Sequence, residues 1–140
     1  MLCDCHVYPT LGASDIARAR QFYEKTLGFE PSLVTPGGVM YDAHGSRFLV
    51  YPTQFAGGNR ATYMAFEVDD LRKMVDELRG RGVKFEDYDL ADFKTDKGIV
   101  ETPDGPGAWL KDTEGNTIGL FQPNQKLQWP REVVSAGRSA

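Results

Sequence analysis

The sequence predicts an α+β domain built from two β-α-β-β-β modules, and three observations carry that prediction. Tyr8 stands seven residues before Asp15 and Tyr63 seven before Asp70, so the pattern recurs at an offset of 55 residues. Each aspartate is followed by an apolar residue, Ile16 or Leu71, and by a helical pattern that runs to a glycine. Each copy then closes on a turn glycine and a short apolar strand, Gly45 to Tyr51 in the first and Gly115 to Phe121 in the second. Two long units make a paired-module domain rather than a solenoid.

The elements follow in order. Residues 5–12 alternate loosely and predict the first strand, with His6, Tyr8 and Thr10 on one face. Pro9 cannot donate to a ladder, which places this strand at an edge or on a bulge. Ser14 or Asp15 caps a helix whose inward stripe is Ile16, Ala19, Phe22, Tyr23 and Leu27, ended by Gly28. Strands at 32–35, 38–42 and 47–52 complete the copy, with Gly37-Gly38 and His44-Gly45 as turns. The polar, glycine-rich stretch 53–60 is a connector.

The second copy opens with a strand over 62–68. Asp69 or Asp70 then caps a helix with Leu71, Met74, Val75 and Leu78 on one face, stopped at Gly80 and Gly82. A strand is expected over 83–88. The stretch from Leu90 to Gly107 is longer than its counterpart and reads as an extra strand or a flap, a length that in compact domains usually serves function. Residues 108–111 and 117–121 form a hairpin across 112–116. The domain is expected to span residues 1–122, with modules at 5–52 and 61–122, and residues 123–140 to form a loosely packed tail anchored by Leu127 and Trp129.

A chain of 140 residues can bury a core without metal or disulfide staples. Its net charge of −4, with both signs interspersed, offers no basic stripe for nucleic acid and no polybasic face for a membrane. No apolar run approaches the roughly 20 residues of a membrane helix. Cys3 and Cys5, two apart on the expected strand, would hold their Cα atoms about 6.5–7 Å apart, at or beyond disulfide reach. Two free thiols and no apolar signal region lead us to expect a cytoplasmic protein. Cys3-Asp4-Cys5-His6 offers ligand atoms, but a structural zinc site needs about four ligands, usually as separated pairs. The only other histidine, His44, sits in a predicted turn.

Three motifs in order resemble the vicinal oxygen chelate superfamily, the glyoxalase, bleomycin-resistance and extradiol-dioxygenase group. They are Asp15-Ile16-Ala17-Arg18-Ala19-Arg20-Gln21-Phe22-Tyr23 with Leu27-Gly28-Phe29, then Ala65-Phe66-Glu67-Val68-Asp69-Asp70-Leu71, then Lys111-Asp112-Thr113-Glu114-Gly115-Asn116-Thr117-Ile118. The resemblance implies that the modules form a curled mixed sheet around a central cavity, and that two chains pair as a homodimer. Glyoxalase-like members hold a divalent metal there on the first and last strand of each module. Those positions fall on Tyr8, Tyr63, Leu49 and Gly119, none of them histidine, glutamine or glutamate. A shift of one residue gives Val7, Phe48, Thr62 and Ile118, which suit a divalent ion no better. No metal or other cofactor is therefore expected.

The expected ligand-binding residues are Tyr8, Tyr63, Leu49, Gly119, Tyr51, Trp109 and Glu101. A tyrosine in a pocket packs its ring on a ligand and bonds through its hydroxyl, or simply fills the space a metal would take. Glu101, in the long insertion and close to Trp109, is the candidate acid or base, although most loop glutamates are merely solvated. For Tyr51, as for Met40, Phe48 and Phe121, core packing is the default. The leading expectation is a protein that binds a small, partly apolar organic molecule, with the acidic balance favouring neutral or cationic ligands. A lyase, isomerase or dioxygenase of the same fold, and a non-catalytic interaction or sensing module, are the alternatives.

Overall fold

Both helices start from the same local device. Asp15 and Asp70, in extended backbone, turn their carboxylates back to accept the amide three residues on, Arg18 at 3.0 Å and Lys73 at 3.1 Å. Each bond satisfies one orphan donor of the first helical turn. Replacing Asp70 with alanine is expected to cost about 1 kcal/mol. Thermal unfolding should register this as a loss of about 3–5 °C; an unchanged Tm would show that the cap contributes nothing.

The computed structural model describes residues 1–126, 128 and 129. In chain order it contains β1 (Thr10–Ala13), α1 (Ile16–Arg20), β2 (Pro31–Thr35), β3 (Gly38–Ala43), β4 (Ser46–Pro52), β5 (Met64–Glu67), α2 (Leu71–Gly80), β6 (Asp89–Leu90), β7 (Phe93–Lys94), β8 (Ile99–Thr102), β9 (Gly105–Lys111) and β10 (Thr117–Phe121). The duplication is visible in the strand orders, β1-β4-β3-β2 in the first sheet and β5-β10-β9-β8 in the second. In each sheet the opening strand runs parallel to the closing one, with Thr10 opposite Leu49 and Met64 opposite Ile118, while the other pairings are antiparallel.

Four local expectations are corrected. The first strand starts at Thr10 rather than near residue 5, because Pro9 has no amide to give and the first ladder bond runs from Leu49 N–H to the Pro9 carbonyl (2.9 Å). Cys3 therefore lies in a short 3₁₀ turn and Cys5 just after it, both free and exposed. The first helix does not stay regular: residues Gln21–Thr26 wind as a π-helix, in which Leu27 N–H reaches back to the Phe22 carbonyl. Along this run Ala19 and Tyr23 are fully buried, while Phe22 is only half-buried. The strand expected over 83–88 shrinks to one bridge, Phe85 to Leu110. The β6-β7 hairpin follows it as a flap, and the long stretch then supplies β8 and the start of β9.

The core belongs to both modules. Leu11, Ala13, Tyr23, Tyr41, Phe48 and Val50 join Leu71, Val75, Leu110, Ile118 and Leu120 in one buried cluster. Aromatic rings bridge the modules, with Phe29 and Phe48 lying 5.7 and 6.3 Å from Phe66. Leu71, Val75 and Leu78 are the buried face of α2, as the i, i+4, i+7 spacing requires.

A buried polar clasp adds a second connection. Asp112 Oδ1 accepts the Glu114 and Asn116 amides (2.9 and 2.8 Å), which shapes the turn before β10. Its Oδ2 accepts the Tyr23 hydroxyl from the other module at 2.7 Å and the Asn116 amide at 2.8 Å. Asn116 Nδ2 also donates to the Gly12 carbonyl (2.8 Å), and Glu114 accepts Arg18, Ser14 and the Asp15 amide. The residues that looked like a hairpin turn thus join the modules. Burial, then the Asp112 charge, pushes the Tyr23 hydroxyl far above its ordinary pKa, so it acts as a donor here.

Candidate functional site on the open sheet faces

Strand alternation divides each sheet into a buried face and an open one. In the second sheet Ile99, Ala108, Leu110, Ile118 and Leu120 point into the core. Trp109, Gly107, Gly119, Phe121, Ala65 and Glu67 therefore share the opposite face by their register. Gly107, Gly119 and Ala65 form a low floor between larger neighbours. At Gly119 an added Cβ would lie 3.4 Å from both Trp109 Nε1 and Thr62 Cγ2.

One wall of this trough is aromatic. Trp109 donates its indole N–H to Thr62 Oγ1 at 3.1 Å and carries the flap on its ring, with Phe93 at 5.1 Å and Tyr88 at 5.9 Å between centroids. The flap is tied down by Asp87, which accepts the Gly98 amide and the Thr95 hydroxyl (both 2.9 Å). A cavity of about 270 Å³ opens beside the wall, lined by Arg60, Glu86, Tyr88, Lys111 and Thr117. Lys111 Nζ stands 3.6 Å from Glu86 there. Burial, and then the charge of Glu86, raise the Tyr88 hydroxyl above its ordinary pKa, which keeps it a hydrogen-bond donor. A second cavity, of about 280 Å³, lies on the seam between Phe22 and Thr26 of one module and Arg81 to Lys84 of the other.

The expected site residues divide into two groups. Tyr63, Gly119 and Trp109 gather on the second sheet, where Tyr63 is half-buried and accepts the Asn59 amide through its hydroxyl (3.3 Å). Leu49 and Tyr51 lie on the open face of the first sheet, opposite in direction to the buried Phe48 and Val50, and Tyr8 precedes β1 with 43 % exposure. The modules meet through their buried faces, and the two groups lie on separate sheets.

Glu101 joins neither group. Its register partner is Pro106, one step out of phase with Gly107, so it projects on the α2 side of the sheet. There it is exposed and pairs with Arg72 at 2.7 Å. Its nearness to Trp109 in sequence misled because β8 and β9 are antiparallel and place the two on opposite faces.

Nor do the family's metal positions supply a donor set. Leu49 and Gly119 have no side-chain lone pair, and the remaining two positions, Tyr8 and Tyr63, carry tyrosine in place of histidine, glutamine or glutamate. Among the described residues no three His, Cys, Asp or Glu side chains converge. A divalent ion does not fit these positions.

Tyr88, Phe93 and Glu67 escaped the reading from sequence. The long insertion was the signal for Phe93, Tyr88 ends the strand expected just before it, and Glu67 is four residues beyond Tyr63 on the same strand face.

Comparisons with known proteins identify the family and the fold. A profile of the Glyoxalase/Bleomycin resistance protein/Dioxygenase superfamily matches residues 6–120, and the chain belongs to that superfamily. Among solved structures it is similar to TnmS3, an antibiotic binding protein from Streptomyces sp. CB03234, at 25% identity over 86% of this chain and 97% of that one, with a TM-score of 0.64. It also resembles a bleomycin resistance determinant encoded on transposon Tn5, at 16% identity over 86% and 99% of the two chains, TM-score 0.66. A lactoylglutathione lyase from Agrobacterium tumefaciens is similar at 20% identity over 84% and 92%, TM-score 0.61. The last two likenesses speak for the fold alone. Comparison with curated protein sequences found no match. No helix among the described residues is long and apolar enough to cross a membrane.

Proposed function

We propose that this chain binds a small, partly apolar organic molecule in the trough of its second sheet, without a metal ion and without turning it over. The observation that carries the reading is the Tyr88-Phe93-Trp109 wall beside a floor of Gly107, Gly119 and Ala65. An apolar recess with a few polar groups at its mouth is what a planar or partly aromatic ligand needs. The antibiotic-binding relative supports a binding role, and the donor-poor metal positions weigh against metal chemistry.

The reading extends to a homodimer. Leu33, Val34 and Phe55 are 58, 52 and 78 % exposed, and Val7 stands clear of the body, which is much apolar surface for an isolated chain. A second copy laid on it would bring Tyr8, Leu49 and Tyr51 of one chain to face the trough of the other. The two free thiols favour the cytoplasm.

The test is a screen of aromatic small molecules by indole fluorescence of the unmodified chain, with the Trp109→Phe variant as the control that identifies the Trp109 signal. Hits should quench Trp109, and Trp109→Ala should weaken binding by about 10-fold or more in calorimetry, the loss of one well-packed aromatic contact. Hits that bind Trp109→Ala unchanged would place the site elsewhere.

A further inference from the structure

Among the described residues, Glu67 Oε1 is the one buried side-chain oxygen or nitrogen that has no hydrogen-bond partner. Its other oxygen, Oε2, accepts a single long bond from the Trp129 indole N–H at 3.3 Å, and Trp129 is itself 63 % exposed. Glu67 stands beside Phe121 on the open face of the second sheet, two residues along the strand from Ala65 in the trough floor. A buried carboxylate oxygen with nothing bonded to it is costly, and native proteins rarely keep one without use.

The duplication shows that the fold does not require it. The matching position of the first module is Gly12, where an added Cβ would sit 2.6 Å from Thr53 Cγ2 and 3.2 Å from the Ala56 Cα. In both modules the segment after the closing strand folds back over the opening strand at this point. In the first the connector packs tightly on a glycine, and in the second Trp129 rests loosely on a carboxylate. Nothing in the clasp or the core depends on Glu67.

We infer that Glu67 is the specificity-determining residue of the trough, accepting a protonated amine or guanidinium carried by an apolar ligand, with Trp129 swinging from a cover to a wall of that subsite. The inference rests on the binding role proposed above and adds the charge class of the ligand. A cation between a buried carboxylate and the faces of Trp129 and Phe121 gains a charge-assisted hydrogen bond and cation–π attraction together. A carboxylate-bearing ligand would meet Glu67 as a like charge and be rejected.

The experiment titrates three matched probes, 1-naphthylmethylamine, 1-naphthalenemethanol and 1-naphthoic acid, into the full chain and into Glu67→Gln by calorimetry. The amine should bind about 10-fold tighter than the alcohol, the effect of one charge-assisted hydrogen bond, and the acid weakest. In Glu67→Gln, amine and alcohol should bind within about twofold of each other, since the amide keeps the shape and removes the charge. Trp129→Ala should change the amine affinity and leave the melting temperature in place, as expected of a cover. Equal affinity for all three probes in the unmodified chain, or an amine preference that survives Glu67→Gln, would overturn the inference while leaving the binding role standing. No binding of any probe would overturn both.

Discussion

Replacing Asn116 with alanine should cost about 3–4 kcal/mol of folding stability. The side chain is fully buried and serves both modules: it donates to the Gly12 carbonyl and to Asp112 (both 2.8 Å) and accepts the Gly57 amide at 3.3 Å. Alanine leaves the buried Gly12 carbonyl and Asp112, and the half-buried Gly57 amide, each with one bond fewer, and it leaves a void as well. Each unsatisfied group costs about 1–3 kcal/mol in isolation, and part of that is recovered by relaxation. For a chain of this size the change corresponds to a fall in Tm of about 10–15 °C. Chemical denaturation at pH 7 measures it directly. A loss under about 1 kcal/mol would mean that the aromatic core alone holds the modules together.

The second large effect is a dependence on pH. Burial pulls the Glu114 carboxyl upward, but hydrogen bonds from Arg18, from the Asp15 amide, and from Thr113 and Ser14 outweigh it and hold the pKa down at about 2. Because the folded pKa lies below the ordinary value of 4.5, the group stabilises the fold fully above pH 4.5 and loses that contribution as the pH falls toward 2. The Glu114 side chain is fully buried while Arg18 is half-exposed, so water screens part of the attraction. The contribution at neutral pH is about 2–3 kcal/mol. Comparing the chain with Glu114→Gln by urea denaturation between pH 7 and 2.5 should show a stability gap that closes below about pH 4.5. Parallel curves would show that Glu114 does not carry the acid sensitivity.

Both effects lie in the segment Asp112-Thr113-Glu114-Gly115-Asn116, which also carries the family resemblance. Read as a sequence, it is a hairpin turn. In the fold it is the part of the second module that reaches the first, and three of its side chains are buried. The two functional proposals lie elsewhere, on the open face of the second sheet, so they can be tested without disturbing this clasp.

The sequence by itself determined the modular architecture. Duplicated spacing, capping aspartates and apolar periodicity are local signals, and the paired β-α-β-β-β plan follows from them, whereas the equivalent strand orders of the two sheets are seen only in the fold. The sequence also shows that two of the positions which the resemblance assigns to metal ligands, Leu49 and Gly119, carry no side-chain donor. What it could not determine was which faces meet. Two modules of this kind can join through their buried faces or along their strand edges, and the choice depends on long-range packing among Phe29, Phe48 and Phe66. That choice separated Tyr8, Leu49 and Tyr51 from Tyr63, Gly119 and Trp109. The phase of β8 against β9 likewise sent Glu101 to the helix side, and the flap brought Tyr88 and Phe93 onto Trp109. Glu67 shows the distinction most clearly: its place on the strand follows from period-two alternation, whereas its unpartnered buried oxygen and its bond to Trp129 are seen only in the fold.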